Sequence, residues 1–248
     1  YSYAVYGTGL PADQLTGQQT RGSVIGGRKV TFTDPVIAQY AREIAADEAA
    51  HVAFLRSVLG GVAVAMPTID IDGSASGAFT AAARAAGVVG ATGTFDPYAS
   101  DEAFLLGAFI FEDVGVTAYK GAAPLVTNKT YLEAAAGILA AEAYHAGLVR
   151  TSLYRKGIAT PSAMLIENAG KISDARDSLD GPSDLDQGIA SPDGGVTSNI
   201  VPTDANGIAF SRSAGQVLNI AYLSKSSLSS GGFFPNGING FIHMSAAS

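Results

Sequence analysis

Two of the three histidines of the chain stand three residues after a glutamate, as Glu48-x-x-His51 and Glu142-x-x-His145. Residues at positions i and i+3 lie on one face of a helix, so each pair presents a carboxylate oxygen and an imidazole nitrogen to one point beside the helix. Carboxylate and imidazole are ligands that suit iron and manganese. Two such pairs facing each other are therefore predicted to hold two metal ions.

Glu112 is the candidate for a further ligand. Its predicted helical face is otherwise apolar, being shared with Leu105, Ala108, Phe109, Val116 and Tyr119. An ionised carboxylate on such a face costs several kcal/mol unless it is paired or bound to a cation. Dinuclear carboxylate bundles take one lone glutamate from each of the two helices that lack a Glu-x-x-His pair, and Glu112 fits one of those places.

An alternative without metal is kept beside this hypothesis. In it the five residues Glu48, His51, Glu112, Glu142 and His145 form a buried hydrogen-bonded network that descends from a metal-binding ancestor. Both alternatives place all five side chains near one point in the core.

Neighbouring side chains are interpreted as structural. Asp113 points about 100° away from Glu112 around the helix axis, so it is predicted to lie on the surface. Tyr119 and Tyr144 are predicted to be packing residues, as aromatic residues usually are in alanine-rich bundles. The third histidine, His243, is predicted to be exposed in a polar tail.

Composition excludes several classes of function. The net charge of -7, from 22 acidic and 15 basic residues, excludes nucleic acid as a partner, because phosphate binding needs clustered Lys and Arg. No run approaches the roughly 20 apolar residues that a membrane span requires. Because the chain has no cysteine, any metal must be bound by oxygen and imidazole ligands.

Three long helices are predicted to position the candidate ligands. The first spans about 35–59, begins after the N-cap Asp34 and carries Glu48 and His51 on its apolar stripe, with Asp47 off that stripe. The second spans about 101–120 after the cap Ser100, and the third begins at Thr127 or Thr130 and ends at Gly157. The crossover 61–100 is predicted to hold one short helix within 77–86.

The chain is predicted to divide into a helical bundle, 1–158, and a loop-rich C-terminal extension packed on it, 159–248. Ser, Asp, Gly and Pro dominate residues 173–206, and the extension shows one short helical pattern, at 213–223. The fold class is therefore all-α, a four-helix bundle with an extension.

The first helix of that bundle is predicted to be largely missing from this sequence. Residues 1–6 resemble the end of a helix that stops at Gly7, and the chain does not begin with Met. A preceding helix of roughly 15 to 25 residues is expected to close the four-helix core and to supply the sixth ligand, a glutamate.

The chain resembles the desiccation-related ferritin-like proteins of bacteria, plants and fungi. The resemblance rests on AREIAADEAAHVAFLRSVLG, GAFIFEDVGVTAYKGAAPL, AAGILAAEAYHAGLVRTSLY, VPTDANGIAFSRSAGQVLNIAY and GGFFPNGINGF. It implies a ferritin-like core, an upstream helix bearing a glutamate, and export to the periplasm or the extracellular space.

Two functions follow as hypotheses. One is a stress-associated protein with a dinuclear iron or manganese site that acts on oxygen or peroxide. The other is a non-catalytic scaffold or surface protein whose site holds no metal. The sequence does not choose between iron and manganese, and a homo-oligomer is one alternative for its assembly.

Overall fold

The computed structural model describes residues 1–191 and 197–247 and is predominantly helical there. The α-helices among these residues are Ser2–Tyr6 (α1), Pro35–Leu59 (α2), Ala78–Ala85 (α3), Asp101–Ala122 (α4), Lys129–Ala159 (α5), Leu165–Asp180 (α6) and Ala214–Tyr222 (α7). Two short strands, Val24–Gly26 (β1) and Ile69–Ile71 (β2), pair in parallel. The predicted all-α class is confirmed.

The three long helices begin at side-chain caps. Asp34 Oδ1 accepts hydrogen bonds from the backbone N–H groups of Val36 and Ile37 at the start of α2. Ser100 caps α4 in the same way. At α5 the cap is Asn128 rather than Thr127 or Thr130, because the Asn128 amide oxygen accepts from two free N–H groups of the first turn.

The core lies between these helices, and α4 and α5 form the most extensive helix pair. Ile37, Ala41 and Ile44 of α2, Phe109 of α4 and Leu153 of α5 are each at most 2% exposed. Both α2 and α4 pack on α5, and the Glu-x-x-His segments and the lone glutamate lie at one level of the bundle.

Helix α6 was not predicted, and the expectation of a single short helix in 159–248 is wrong. Its buried stripe begins with Leu165, Ala169 and Ile172 but continues with Arg176 and Asp180, which are buried as ion pairs. The polar half of the stripe hides the helical period from a search for apolar residues. Within the predicted loop-rich stretch 173–206, residues 192–196 lie outside the described residues.

The remaining elements follow the prediction closely. Helix α3 lies within the crossover 61–100, and α7 begins at a capping box in which Ser213 and Gln216 each bond the backbone of the other. Among the described residues, no helix is both long enough and apolar enough to cross a membrane.

Candidate metal centre

Four of the five predicted ligands meet at one point. One side-chain ligand atom from each of Glu48, Glu112, Glu142 and His145 lies within 4.8 Å of the other three. Glu48 comes from α2, Glu112 from α4, and Glu142 and His145 come from one turn of α5. Three of the residues are at most 7% exposed, whereas the Glu48 side chain is 32% exposed. The cluster is therefore closed except on the side of α2.

His51 lies beside this group. Its Nδ1 is 3.6 Å from Glu142 Oε1 and 3.8 Å from Glu48 Oε2, and its ring centroid is 6.2 Å from that of His145. The structure thus brings Glu48, Glu112, Glu142 and His145 together and places His51 at the edge of the group.

Polar atoms without partners mark the centre of the cluster. His51 Nδ1, Glu112 Oε2 and His145 Nδ1 are buried, and none has a hydrogen-bond partner among residues 1–191 and 197–247. A buried polar atom left in this way costs about 1–3 kcal/mol. His145 Nδ1 lies 3.3 Å from Glu48 Oε1 and 3.9 Å from Glu112 Oε2, so the atoms surround a common space. A cation there would take up these lone pairs, and the residues fit a metal ion.

The electrostatics of the cluster also fit a cation. Burial raises the pKa of Glu112 to about 8, and the charges of Glu48 and Glu142 add to this against the hydrogen bond from Tyr1. Burial, followed by the charge of Glu48, raises the pKa of Glu142 to about 7. A divalent ion reverses both effects, because it favours the ionised carboxylates.

Asp47 is a residue that sequence reasoning missed. Its Oδ2 lies 3.0 Å from His145 Nε2, the ring nitrogen that faces away from the cluster. Burial lowers the pKa of His145, but the carboxylates of Glu48 and Asp47 outweigh it and raise the pKa to about 9. Metal-binding histidines are usually oriented by a carboxylate on their second nitrogen. The position of Asp47, directly before Glu48 in the sequence, was the signal that could have indicated this role.

Tyr1 is the second missed residue. Its hydroxyl group donates a hydrogen bond to Glu112 Oε1, and its ring packs edge-on against Phe104 at 5.8 Å. Burial and the Glu112 charge together raise the pKa of the Tyr1 phenol well above its ordinary value. The phenol therefore keeps its proton, donates a hydrogen bond to Glu112 and holds that carboxylate in place.

Gly115 makes room for the cluster. It lies one turn after Glu112 on α4, and a Cβ atom at this position would stand 2.6 Å from Glu142 Oε2. A side chain of any size would push the Glu142 carboxylate away from its present position.

Two structural expectations are wrong. Asp113 is 5% exposed rather than on the surface, because the unpredicted helix α6 covers its face of α4 and supplies Arg176 as a partner. Tyr144 is 77% exposed rather than packed, since it points out from α5.

Tyr119 is partly buried, and burial followed by the charges of Glu142 and Glu48 raises its pKa to about 12. His243 is exposed, as predicted.

Comparison with known proteins identifies relatives of the chain. Residues 1–155 match the family model described as Ferritin-like domain. A desiccation-related protein, PCC13-62, of Craterostigma plantagineum is 28% identical over 250 residues, covering 97% of this chain and 77% of the relative. The ferritin-like catalase Nec2 of Nesocodon mauritianus is 26% identical over 217 residues, covering 84% of this chain and 68% of the relative. No solved structure matches.

Proposed function

Since the chain belongs to the ferritin-like domain family, we propose that it is a stress-associated protein whose carboxylate and histidine cluster binds two iron or manganese ions and acts on peroxide or oxygen. The relatives support the biological setting, since one is named for desiccation and the other is named a catalase. Hydrogen peroxide is therefore the first substrate to test.

One observation carries the proposal: ligand atoms of Glu48, Glu112, Glu142 and His145, from α2, α4 and α5, lie within 4.8 Å of one another. Two polar atoms of these residues, Glu112 Oε2 and His145 Nδ1, are buried without a hydrogen-bond partner among the described residues. The residues that would hold the metal are Glu48, His51, Glu112, Glu142 and His145. When bound, a redox-active metal pair supplies the electron exchange that converts two peroxide molecules into two water molecules and one oxygen molecule.

The protein groups around the cluster bind, orient and exchange protons. Asp47 orients the His145 ring through Nε2, and Tyr1 orients Glu112. Glu112 and Glu142, with pKa values of about 8 and about 7, hold protons near neutral pH that a bound cation would displace.

Access to the cluster runs along a cleft on its α2 side. The cleft has a volume of about 590 Å³ and reaches Glu48, the most exposed member of the cluster. Its walls are largely apolar and include Val52, Met66 and Ile69, with Arg56 as a charged member. The cleft is large enough for a molecule as small as peroxide to reach Glu48.

Export to the periplasm or the extracellular space is part of the proposed stress role.

The alternative function is a scaffold whose cluster holds no metal. Metal analysis of protein purified from its own source separates the two, because the proposal requires about two transition-metal ions per chain and the scaffold requires none.

A glutamate variant tests the assignment directly. Glu142→Ala is expected to lower metal occupancy and peroxide turnover at least about tenfold while the helical circular dichroism persists. Glu133→Ala is the matched control, because Glu133 is an exposed glutamate of the same helix. Unchanged metal content in Glu142→Ala would rule out the assigned site, and metal-free wild-type protein would favour the scaffold.

A further inference from the structure

A buried network of three arginines and three aspartates lies next to the candidate metal centre, on another face of α4. We call it the arginine–aspartate network; its members are Asp113, Arg150, Arg176, Asp180, Asp186 and Arg212, each at most 7% exposed. The positive charges of the three arginines equal the negative charges of the three aspartates, so the formal charge of the network is zero. Asp113 and Arg150 belong to α4 and α5, and the other four members belong to the C-terminal extension.

The extension contacts α4 on both sides of Glu112. Arg176 donates to the Phe109 carbonyl oxygen at 2.5 Å and to Asp113 Oδ2 at 2.9 Å, and its guanidinium carbon lies 4.6 Å from the Phe109 ring centroid. One turn further on, Arg212 donates to Thr117 Oγ1 at 3.0 Å. These contacts fix the rotation of α4 about its axis through the two turns that present Glu112.

The network also connects α4 to α5. Arg150 lies five residues after His145 on α5, and its Nη1 donates to Asp113 Oδ2 at 2.8 Å. Its Nη2 donates to the carbonyl oxygens of Gln187 at 3.0 Å and Asn199 at 2.7 Å in the extension. One buried ion pair thus joins the helix of Glu112 to the helix of Glu142 and His145, and the same arginine joins both to the extension.

Asp186 ties the extension's own arginines together. Its Oδ1 accepts from Arg176 Nη2 at 2.5 Å and its Oδ2 accepts from Arg212 Nη2 at 2.8 Å. Arg212 also donates through Nε to Asp180 at the end of α6. The two contacts with α4 are thus held at a fixed spacing by a single carboxylate.

Stability alone does not account for such a network. Replacing buried ion pairs by apolar side chains of similar volume is often neutral or stabilising, because each charge must be stripped of water. What a directional network adds is fixed geometry, and a metal site needs its ligands held to within about 0.5 Å.

We infer that the arginine–aspartate network is a positioning device for the metal centre, through which the C-terminal extension sets metal affinity. The described residues of the extension contribute no member to the ligand cluster. The inference rests on the proposed function, since it concerns the affinity of the same site. Arg176, Asp113 and Arg150 are accordingly positioning residues.

Titration of the full-length metal-free protein with Co²⁺, followed by visible absorption, tests the inference. Arg176→Lys keeps the charge but cannot donate to Phe109, Asp113 and Asp186 together. We expect it to fold, to lower the affinity for Co²⁺ at least about tenfold and to change the shape of the absorption spectrum. Asp113→Asn, which keeps the shape of the side chain, is expected to act in the same direction and replaces Arg176→Lys if that variant does not fold.

Leu165→Ala is the matched control. Leu165 is buried at the start of α6 but lies outside the network, so its replacement destabilises the same helix without touching Asp113. Its affinity for Co²⁺ should stay within about twofold of the wild-type value. Wild-type affinity and spectrum in both network variants would overturn the positioning role and leave the metal site standing. A wild-type protein that takes up no Co²⁺ would overturn the site and the positioning role together.

Discussion

Glu112 and Glu142 place two carboxyl groups where burial opposes their ionisation, and Glu48 adds a third acid beside them. His145, whose Nδ1 is 3.9 Å from Glu112 Oε2, already faces Glu48 and Asp47. Such a concentration of acids is unfavourable in a folded protein unless the groups hold protons or share a cation. Protons and the proposed metal ions would therefore compete for the same oxygen and nitrogen atoms.

This competition predicts how the stability of the metal-free protein depends on pH. The pKa values of Glu112 and Glu142 rise on folding from 4.5 to about 8 and about 7, so their contribution to stability is lost as pH rises from 4.5 through these values. The pKa of His145 rises from 6.5 to about 9, so its contribution is present below 6.5 and is lost as pH rises through 9. All three groups therefore contribute less to the stability of the folded protein as pH rises.

We therefore expect the free energy of unfolding, measured with urea in the presence of a chelator, to be smaller at pH 8.5 than at pH 5.5. Glu142→Gln, which cannot ionise, should show a shallower decline between the two pH values. A metal-free protein that is equally stable or more stable at the higher pH would show that these groups are not buried together.

Gly115 offers a separate test of the cluster. In Gly115→Ala the new methyl group would meet Glu142 Oε2 at 2.6 Å, and this flexible carboxylate can rotate away at little cost to the fold. We expect stability near that of wild type, with the affinity for Mn²⁺ lowered about tenfold or more.

Gly137→Ala is the control for this variant. Gly137 also lies inside a long helix, but a Cβ atom there would have open space around it. Metal affinity should remain at the wild-type level. Equal affinity in Gly115→Ala and Gly137→Ala would show that Glu142 does not bind metal from its present position.

The helices differ in how they hold the site. Helix α5 supplies Glu142 and His145 from a single turn, so their spacing is a local property of the backbone. Glu112 reaches the same point only because α4 packs beside α5 and is rotated correctly. That rotation depends on contacts with the C-terminal extension, which covers α4 with α6 and with the segment before α7.

Gly121 marks the closest approach between α4 and this segment. A Cβ atom at Gly121 would stand 1.9 Å from the carbonyl oxygen of Arg212, and the backbone there has little freedom to move. Gly121→Ala is expected to lower the free energy of unfolding by about 1–3 kcal/mol. Gly147→Ala, where a Cβ atom has open space in α5, should instead raise it by up to about 1 kcal/mol. Chemical unfolding measures the free energy of unfolding of both variants. A Gly121→Ala protein as stable as the wild type would contradict the close contact between Gly121 and Arg212.

The proposed metal site would couple metal binding to folding. Its candidate ligands come from α2, α4 and α5, so the complete site exists only when the bundle is assembled. A single metal ion at about a hundredfold excess over its dissociation constant adds about 2.7 kcal/mol of stability.

We expect Mn²⁺ at that concentration to raise the thermal midpoint by roughly 5 to 10 °C, at about 2–4 °C per kcal/mol for a chain of this length. Differential scanning calorimetry with and without the ion measures the shift. Glu142→Ala should show almost none of it. A shift of equal size in that variant would place the bound ion elsewhere on the protein.

Local patterns in the sequence determined much of this structure. The spacing in Glu48-x-x-His51 and Glu142-x-x-His145, the apolar stripes and the N-cap residues specify the three long helices and which residues share a face, because these features depend only on neighbours along the chain. The bounds of α2 agree with the predicted 35–59, and the all-α ferritin-like fold is confirmed.

Only the tertiary structure decided which polar side chains outside the five candidate ligands are buried. Asp113 and Arg176 are 63 residues apart and pair only after α6 packs on α4, so neither shows a signal of burial in its own segment. Tyr1 and Glu112 meet across 111 residues, and Asp47 and His145 meet across 98. A buried charge is tolerated because of a distant partner, and helical periodicity carries no information about that partner.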